Sequence, residues 1–245
     1  MSNIETIVII GAGQAGASAI LELRSSKFEG KIILIGDEAH LPYERPPLSK
    51  DVILKPEETK VEILSKEKLA ALGVEHIRGN GAVKINPEAK TVELQKGEVV
   101  AYDKLLLATG GAARRLPNFD ALGQHVYTLR NIPDMDRILA ALHHDKPRHV
   151  TVVGGGFIGL EMMEALHQRK LEVTLLELSD QVMAPVDKEM ANMLHARIRE
   201  EGIDLRLRTG LSAIERLDVP AEKTSAVSVA SCAGLRLTLN DGSHL

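Results

Sequence analysis

The feature that most limits what this chain can fold into occurs twice. A short β-branched run, Ile7-Val8-Ile9-Ile10, ends at Gly11-Ala12-Gly13-Gln14-Ala15-Gly16. Another, Val150-Thr151-Val152-Val153, ends at Gly154-Gly155-Gly156-Phe157-Ile158-Gly159. Apolar runs without polar alternation suit strands buried on both faces, as in a parallel sheet. Segments that read as helices follow, Ala15 to Arg24 and Leu160 to Arg169, and then further buried strands, Lys31 to Ile35 and Val173 to Leu176. Each copy is a βαβ unit with a Gly-x-Gly-x-x-Gly turn between strand and helix. This internal duplication predicts an α/β chain of two Rossmann-like dinucleotide-binding domains with parallel sheets, divided as 1–112 and 113–245.

Each glycine of such a turn answers a separate physical need. The first lets the chain leave the strand sharply, the second lets backbone approach a pyrophosphate, and the third lets helix pack on strand. The helix N-terminus then offers free N–H groups and a positive dipole end to the phosphates. Gly11, Gly13 and Gly16 fit this spacing, as do Gly154, Gly156 and Gly159. An acid suited to an adenosine ribose follows each turn. In the second copy it is Glu177, at the tip of its strand. In the first copy Gly36 takes the tip, and Asp37 or Glu38 must serve. Two dinucleotide turns imply two dinucleotides, and hydride transfer from a nicotinamide to a flavin is the chemistry that needs both. Glu177 favours a free ribose 2′-OH, hence NADH over NADPH, because a 2′-phosphate would meet its negative charge.

The rest of the chain narrows the reading. Of its 245 residues 44% are hydrophobic, enough for a packed core. The net charge of −4, with no basic block, argues against a nucleic-acid partner. Aromatic residues make up only 2%, too few for base-stacking platforms. The run Ile7 to Ile10 is too short to span a membrane, and the N-terminus has no basic segment or cleavage site of an export signal. With one cysteine, Cys232, no internal disulfide can form. A soluble, cytoplasmic protein is expected. His40, His143, His144 and His149 have no metal-site spacing. Short strands are expected at Val74 to Ile77, Ala82 to Ile85, Thr91 to Leu94 and Lys104 to Ala108, and helices at Lys66 to Leu72, Pro133 to His143 and Asp187 to Glu201. The tail reads as strands near Asp204 to Leu207, Ser225 to Val229 and Leu235 to Leu239, with Cys232 in a hairpin.

Asp37 to Lys50 is a polar, proline-interrupted segment, and long loops inside compact domains are commonly functional. From the residues alone, Arg45 and Lys50 suit diphosphate binding, stabilisation of a reduced flavin, or plain solvated surface charge.

At this point the chain resembles the FAD-dependent pyridine nucleotide reductases. Its first half is most similar to the ferredoxin reductases of ring-dioxygenase and P450 systems. The resemblance is carried by Gly11 to Gly16, by Leu41-Pro42-Tyr43-Glu44-Arg45-Pro46-Pro47-Leu48-Ser49-Lys50, by Ala108-Thr109-Gly110 and by Tyr127-Thr128-Leu129-Arg130. It implies that Asp37, Arg45, Lys50, Val83, Thr109 and Arg130 contact FAD, with Lys50 near the isoalloxazine ring. The second half carries the shared NADH motif Val153 to Glu161. Through Gln181-Val182-Met183 and Val186-Asp187-Lys188-Glu189-Met190 it leans toward coenzyme A disulfide reductases and NADH oxidases. There Phe157 and Ile158 would line the dinucleotide and Glu161 would sit near the nicotinamide. Lys50 and Glu161 are the expected catalytic residues.

The chain departs from the disulfide-reducing branches, which use a cysteine near the flavin: residues 37–68 contain none. A thiolate route therefore has no nucleophile. Electrons are expected to pass to a ferredoxin- or rubredoxin-like carrier. An NADH oxidase and a non-catalytic nucleotide-binding module are the alternatives. The late Gly-Asp flavin contact and the third domain of the family are not in the sequence, so an incomplete FAD domain that binds FAD weakly or not at all is expected.

Overall fold

The structure is a computed structural model that describes residues 5–115, 125–217 and 234–245. The chain forms two compact units: 1–45 with 60–112, and 46–59 with 113–245.

In the first unit, β1 (Thr6–Ile10), β2 (Lys31–Ile35), β3 (Val74–Ile77) and β7 (Lys104–Leu107) form one parallel sheet in the order β3-β2-β1-β7. Between β3 and β7 lies an antiparallel sheet of β4 (Ala82–Asn86), β5 (Thr91–Leu94) and β6 (Val99–Ala101). Side chains alternate across a strand, so an uninterrupted apolar run feeds two cores. Ile7, Ile9, Ile32 and Leu34 pack with Ala17 and Ile20 of α1 (Gln14–Ser25) and Leu69 of α3 (Lys66–Ala71). Val8, Ile10, Ile33 and Ile35 pack on the other face with Val92 and Leu94 of β5. Val8, Ile9, Ile32 and Leu34 are wholly buried, so cutting one back to Ala would cost about 2–5 kcal/mol. The run Ile7 to Ile10 is therefore apolar throughout because both faces are covered.

The second unit repeats the arrangement. Its parallel sheet runs β10-β9-β8, from β8 (His149–Val153), β9 (Glu172–Leu176) and β10 (Asp204–Arg206). Helix α5 (Phe157–Gln168) connects β8 to β9, and α6 (Lys188–Glu200) connects β9 to β10. Helix α4 (Ile132–His144) begins with a capping box between Asn131 and Asp134 and has Pro133 in its first turn. A hairpin-like pair, β11 (Leu211–Leu217) and β12 (Gly234–Leu239), is antiparallel. Pro46–Ser49 forms a single 3₁₀ turn and runs into the short α2 (Asp51–Leu54). This segment is tied to the unit by Arg169, whose Nη1 donates to the Ile53 carbonyl at 2.6 Å.

Several expected elements shift. The helices α1 and α5 begin one and three residues earlier than read, at Gln14 and Phe157, because the glycine turn feeds directly into them. The stretch 37–50 is not simply a solvated loop: Tyr43, Leu48 and Ser49 are buried, and Tyr43 bridges to Glu62. Strands β6 and β11 and helix α2 went unread. The expected strand near Ser225 to Val229, the domain crossing at Leu116-Pro117 and Cys232 lie outside the described residues. No helix among the described residues is long and apolar enough to cross a membrane. No group of three His, Cys, Asp or Glu residues gathers among them as a metal site would require.

Candidate functional site: two glycine turns

The first turn leaves β1 at Gly11, whose φ of 117° is a conformation that residues with a Cβ rarely adopt. Its N–H donates to the Ile35 carbonyl of β2 at 2.8 Å. A Cβ at Gly11 would lie 2.1 Å from the Ala108 carbonyl oxygen at the end of β7. One at Gly16 would lie 2.1 Å from the Gly11 carbonyl oxygen. The outer glycines are thus needed for packing. Gly13 differs: a Cβ there would meet nothing within 4 Å. It is also the N-cap of α1, with no side-chain cap and no acid in the first turn. Ala12 closes against the tip of β2, 2.9 Å from where a Gly36 Cβ would be, while Gln14 and Ala15 start the helix exposed. Exposed Thr109 and Gly110 follow Ala108.

From the spacing alone Asp37 and Glu38 were both open as the first ribose acid, the resemblance pointed to Asp37, and the surroundings of the two differ. Glu38 is engaged by its own unit: Tyr43 Oη donates to it at 2.7 Å and Arg45 Nη2 at 3.0 Å, with the Arg45 guanidinium over the Tyr43 ring. Asp37 is exposed and accepts only the N–H of Glu38 among the described residues. Gly81 packs beside Asp37 Cβ, which brings the start of β4, and exposed Val83 two residues on, to the same end of the sheet. His76 stands behind this place. Both its ring nitrogens are buried without a hydrogen-bond partner among the described residues, and Nε2 lies 3.7 Å from where a Gly36 Cβ would be. Burial, then the charge of Arg78, pushes its pKa down to about 4.

The second turn repeats this design except that its first glycine, Gly154, has open space where a Cβ would be. Gly154 has φ 106° and donates to the Leu176 carbonyl at 2.8 Å. A Cβ at Gly159 would lie 1.9 Å from the Gly154 carbonyl oxygen, whereas one at Gly156 meets nothing within 4 Å. Gly156 caps α5 without a side-chain bond, and the first turn of α5 holds no acid. Phe157 and Ile158 stand exposed at its start, at 63% and 53%. Glu177 closes the turn, accepting the N–H of Gly155 at 2.6 Å and that of Ser179 at 2.7 Å. Burial pulls its carboxyl upward, but the N–H donors of Ser179 and Gly155 outweigh that and hold it below the ordinary carboxylate range.

Glu161, one turn further along α5, is joined to the Pro46–Ser49 segment. Lys50 Nζ lies 3.2 Å from Oε1, and Ser49 Oγ donates to Oε2 at 2.5 Å. The expected catalytic pair is therefore in contact within one unit. Ser49 was the partner sequence reasoning missed, although it stood beside Lys50 in the quoted motif. Arg130, also in the second unit, donates its backbone N–H to Asp134 at 2.8 Å.

Both turns fit a dinucleotide by their own geometry. Each presents an uncapped, acid-free helix N-terminus whose N-cap glycine, Gly13 or Gly156, leaves open space where a side chain would be, which is where a pyrophosphate would approach; Gly154 is open as well. The orphaned nitrogens of His76 add unsatisfied polar groups beside the first turn.

Known proteins show the same pattern. The family model for pyridine nucleotide-disulphide oxidoreductases matches residues 5–238. A relative from Photorhabdus laumondii, the ferredoxin–NAD(+) reductase component of a 3-phenylpropionate/cinnamic acid dioxygenase, is 38% identical over 213 residues. The match covers 86% of this chain and 54% of that protein, so the chain spans about half the relative's length. The ferredoxin reductase for the CYP199A2 system of Rhodopseudomonas palustris superposes with a TM-score of 0.86 at 31% identity, over 98% of this chain and 56% of the other. Reduced CoADR-RHD of Bacillus anthracis gives 0.83 at 32%, over 99% and 42%. On the match from residue 5 to residue 238, this chain belongs to the pyridine nucleotide-disulphide oxidoreductase family.

Proposed function

We propose that this chain is the two-nucleotide portion of an NADH-dependent FAD reductase that passes electrons to a ferredoxin- or rubredoxin-type carrier. The observation that carries the reading is the repeated turn, with an open glycine and a bare helix N-terminus in both copies. The relatives, a ferredoxin–NAD(+) reductase component and a P450-system ferredoxin reductase, support the acceptor class.

In this reading Gly11 to Gly16 seat the FAD pyrophosphate, Asp37 takes its adenosine ribose, and Val83, Ala108, Thr109 and Gly110 border it. Gly154 to Gly159 seat the NADH pyrophosphate, and Glu177 takes the ribose diol. A 2′-phosphate would face the Glu177 carboxylate, which stays ionised at neutral pH, so NADH is preferred over NADPH. When bound, FAD supplies the exchange between a two-electron hydride donor and a one-electron acceptor. The protein binds, orients and controls charge. Lys50 holds a positive charge that Glu161 fixes in place, and Ser49 fixes the other Glu161 oxygen. Arg45 is held by Glu38 and Tyr43, and its role is to order the segment leading to Lys50.

The test is the visible absorption spectrum of the protein with FAD supplied, before and after anaerobic NADH. Flavin bands that survive gel filtration and bleach with NADH support the reading. Bands that persist unbleached contradict the hydride step. NADH consumption matched by oxygen uptake without a carrier would instead indicate an oxidase.

A further inference from the structure

His195 sits on the buried face of α6, with 5% of its surface exposed. Its Nε2 lies 3.1 Å from the N–H of Val182. A backbone N–H can only donate, so Nε2 accepts, and the ring is neutral with its proton on Nδ1. Val182 is wholly buried, and its Cγ1 lies 2.8 Å from where a Cβ of Gly155 would be. The next residue, Met183, donates its N–H to the Gly155 carbonyl at 2.7 Å. The Gly155 N–H in turn donates to Glu177. Both backbone groups of Gly155, the middle of the dinucleotide turn, are therefore tied: one to Glu177 and one to a loop that His195 holds from behind. The loop is closed on its far side by Gln181, whose Nε2 donates to the Val186 carbonyl at 2.9 Å, and by Val186, whose N–H donates to the Met183 carbonyl.

We infer that His195 is a positioning residue for the second dinucleotide site. By accepting the Val182 N–H it keeps Val182 and Met183 seated on Gly155, and so keeps the turn and the Glu177 carboxylate in the arrangement that receives an adenosine ribose. The inference rests on the reading of this turn as the NADH site. Protonation at Nε2 would set donor against donor and release the loop. The charges acting on the ring are Arg199, on the same helix, and Asp180, in the loop. Asp180 is itself paired with Lys188 at 3.4 Å and Arg208 at 3.8 Å. Burial, then Arg199, holds the ring below its ordinary value against the opposing pull of Asp180. The acceptor is therefore present at neutral pH and lost only as the solution becomes acidic.

The experiment compares the wild-type chain with His195→Gln, whose side-chain carbonyl accepts at every pH, and His195→Leu, which accepts at none. NADH affinity is titrated by fluorescence, and amide hydrogen exchange is followed in residues 181–186, at about pH 7.5 and about pH 4.5, the lower value set well below an ordinary histidine because burial and Arg199 depress this ring. Leaving a buried N–H without its acceptor is expected to weaken NADH binding roughly tenfold in His195→Leu at both pH values, with faster exchange at Val182 and Met183. The wild type should show the same change only at the lower pH. His195→Gln should bind normally and show no pH effect. A pH effect that survives in His195→Gln overturns the inference, as does unchanged binding and protection in His195→Leu. If exchange follows the expected pattern but no variant binds NADH, the positioning role of His195 toward Gly155 stands and the NADH reading of the turn falls.

Discussion

Gly156→Ala and Gly159→Ala add the same methyl group three residues apart and should behave oppositely. At Gly159 the new Cβ would lie 1.9 Å from the Gly154 carbonyl oxygen, a separation real Cβ atoms essentially never show. Helix α5 must move off the turn by about 1 Å, and overpacking of this kind costs about 1–3 kcal/mol. The gain from alanine inside a helix returns about 1 kcal/mol. The net loss is up to about 2 kcal/mol, or a melting temperature lower by up to about 8 °C for a domain of this size. At Gly156 the backbone is extended, with φ −81° and ψ −174°, and the methyl meets nothing within 4 Å. Alanine there restricts the unfolded chain and stabilises by about 0.4–1 kcal/mol. The same methyl occupies the space through which a pyrophosphate would reach the α5 N–H groups. Losing one charge-assisted hydrogen bond, worth about 1.5–3 kcal/mol, weakens binding roughly 10- to 150-fold. Thermal melts beside NADH titrations separate the effects. Gly156→Ala should melt no lower than wild type yet lose affinity, while Gly159→Ala should lose both. Wild-type NADH affinity in Gly156→Ala would refute the assignment of the open glycine to the pyrophosphate.

Three further outcomes are expected. Because the folded-state pKa of Glu177 is depressed, its contribution to stability is present above about 4.3, its unfolded value, and disappears as pH falls through the folded value. Urea midpoints from about pH 5 down to about pH 3 should fall less steeply in Glu177→Gln. His76 has a depressed folded pKa too, but as a base: the unfolded chain takes up its proton first, so stability is lost as pH falls from about 6.5 toward 4. His76→Phe should flatten that part of the stability profile of the first unit. Lys50→Met should change stability by less than about 1 kcal/mol, since the Lys50–Glu161 pair is 51% and 28% exposed. If the pair serves the flavin, stopped-flow reduction of the FAD-loaded variant by NADH should slow by about tenfold or more.

Repetition made the scaffold legible before any coordinate was known. Strand, glycine turn, helix and strand recur at Ile7 and at Val150 with the same chemistry, and the parallel registers Ile7↔Ile32 and Val150↔Val173 follow from it. In both copies the third glycine is a packing position and the middle one is open, while the first is walled only at Gly11. Elements defined by contacts distant in sequence were harder to read. Strand β6 is three residues long and has no pattern of its own; it exists because β5 pairs with it. Strand β11 carries Ser212, Glu215 and Arg216, and its antiparallel partner β12 supplies the missing context. That Tyr43 and Arg45 engage Glu38 and leave Asp37 exposed was not legible, because the three meet only through the folded loop. Ser49 was invisible as a contact because its partner Glu161 is 112 residues away. His195 carried no signal at all: a lone histidine on an amphipathic helix gives no hint that its ring nitrogen meets a loop amide.

The two seats also differ in what stands beside their first glycine. The Gly11 turn is walled by the end of β7, where Ala108 would touch any added carbon, whereas Gly154 has open space within 4 Å among the described residues. A side chain at Gly11 would therefore meet both a strand end and an unfavourable φ, whereas at Gly154 the φ of 106° alone stands against it. One residue type is kept at the same place in the repeat for two physical reasons in the first turn and for one in the second.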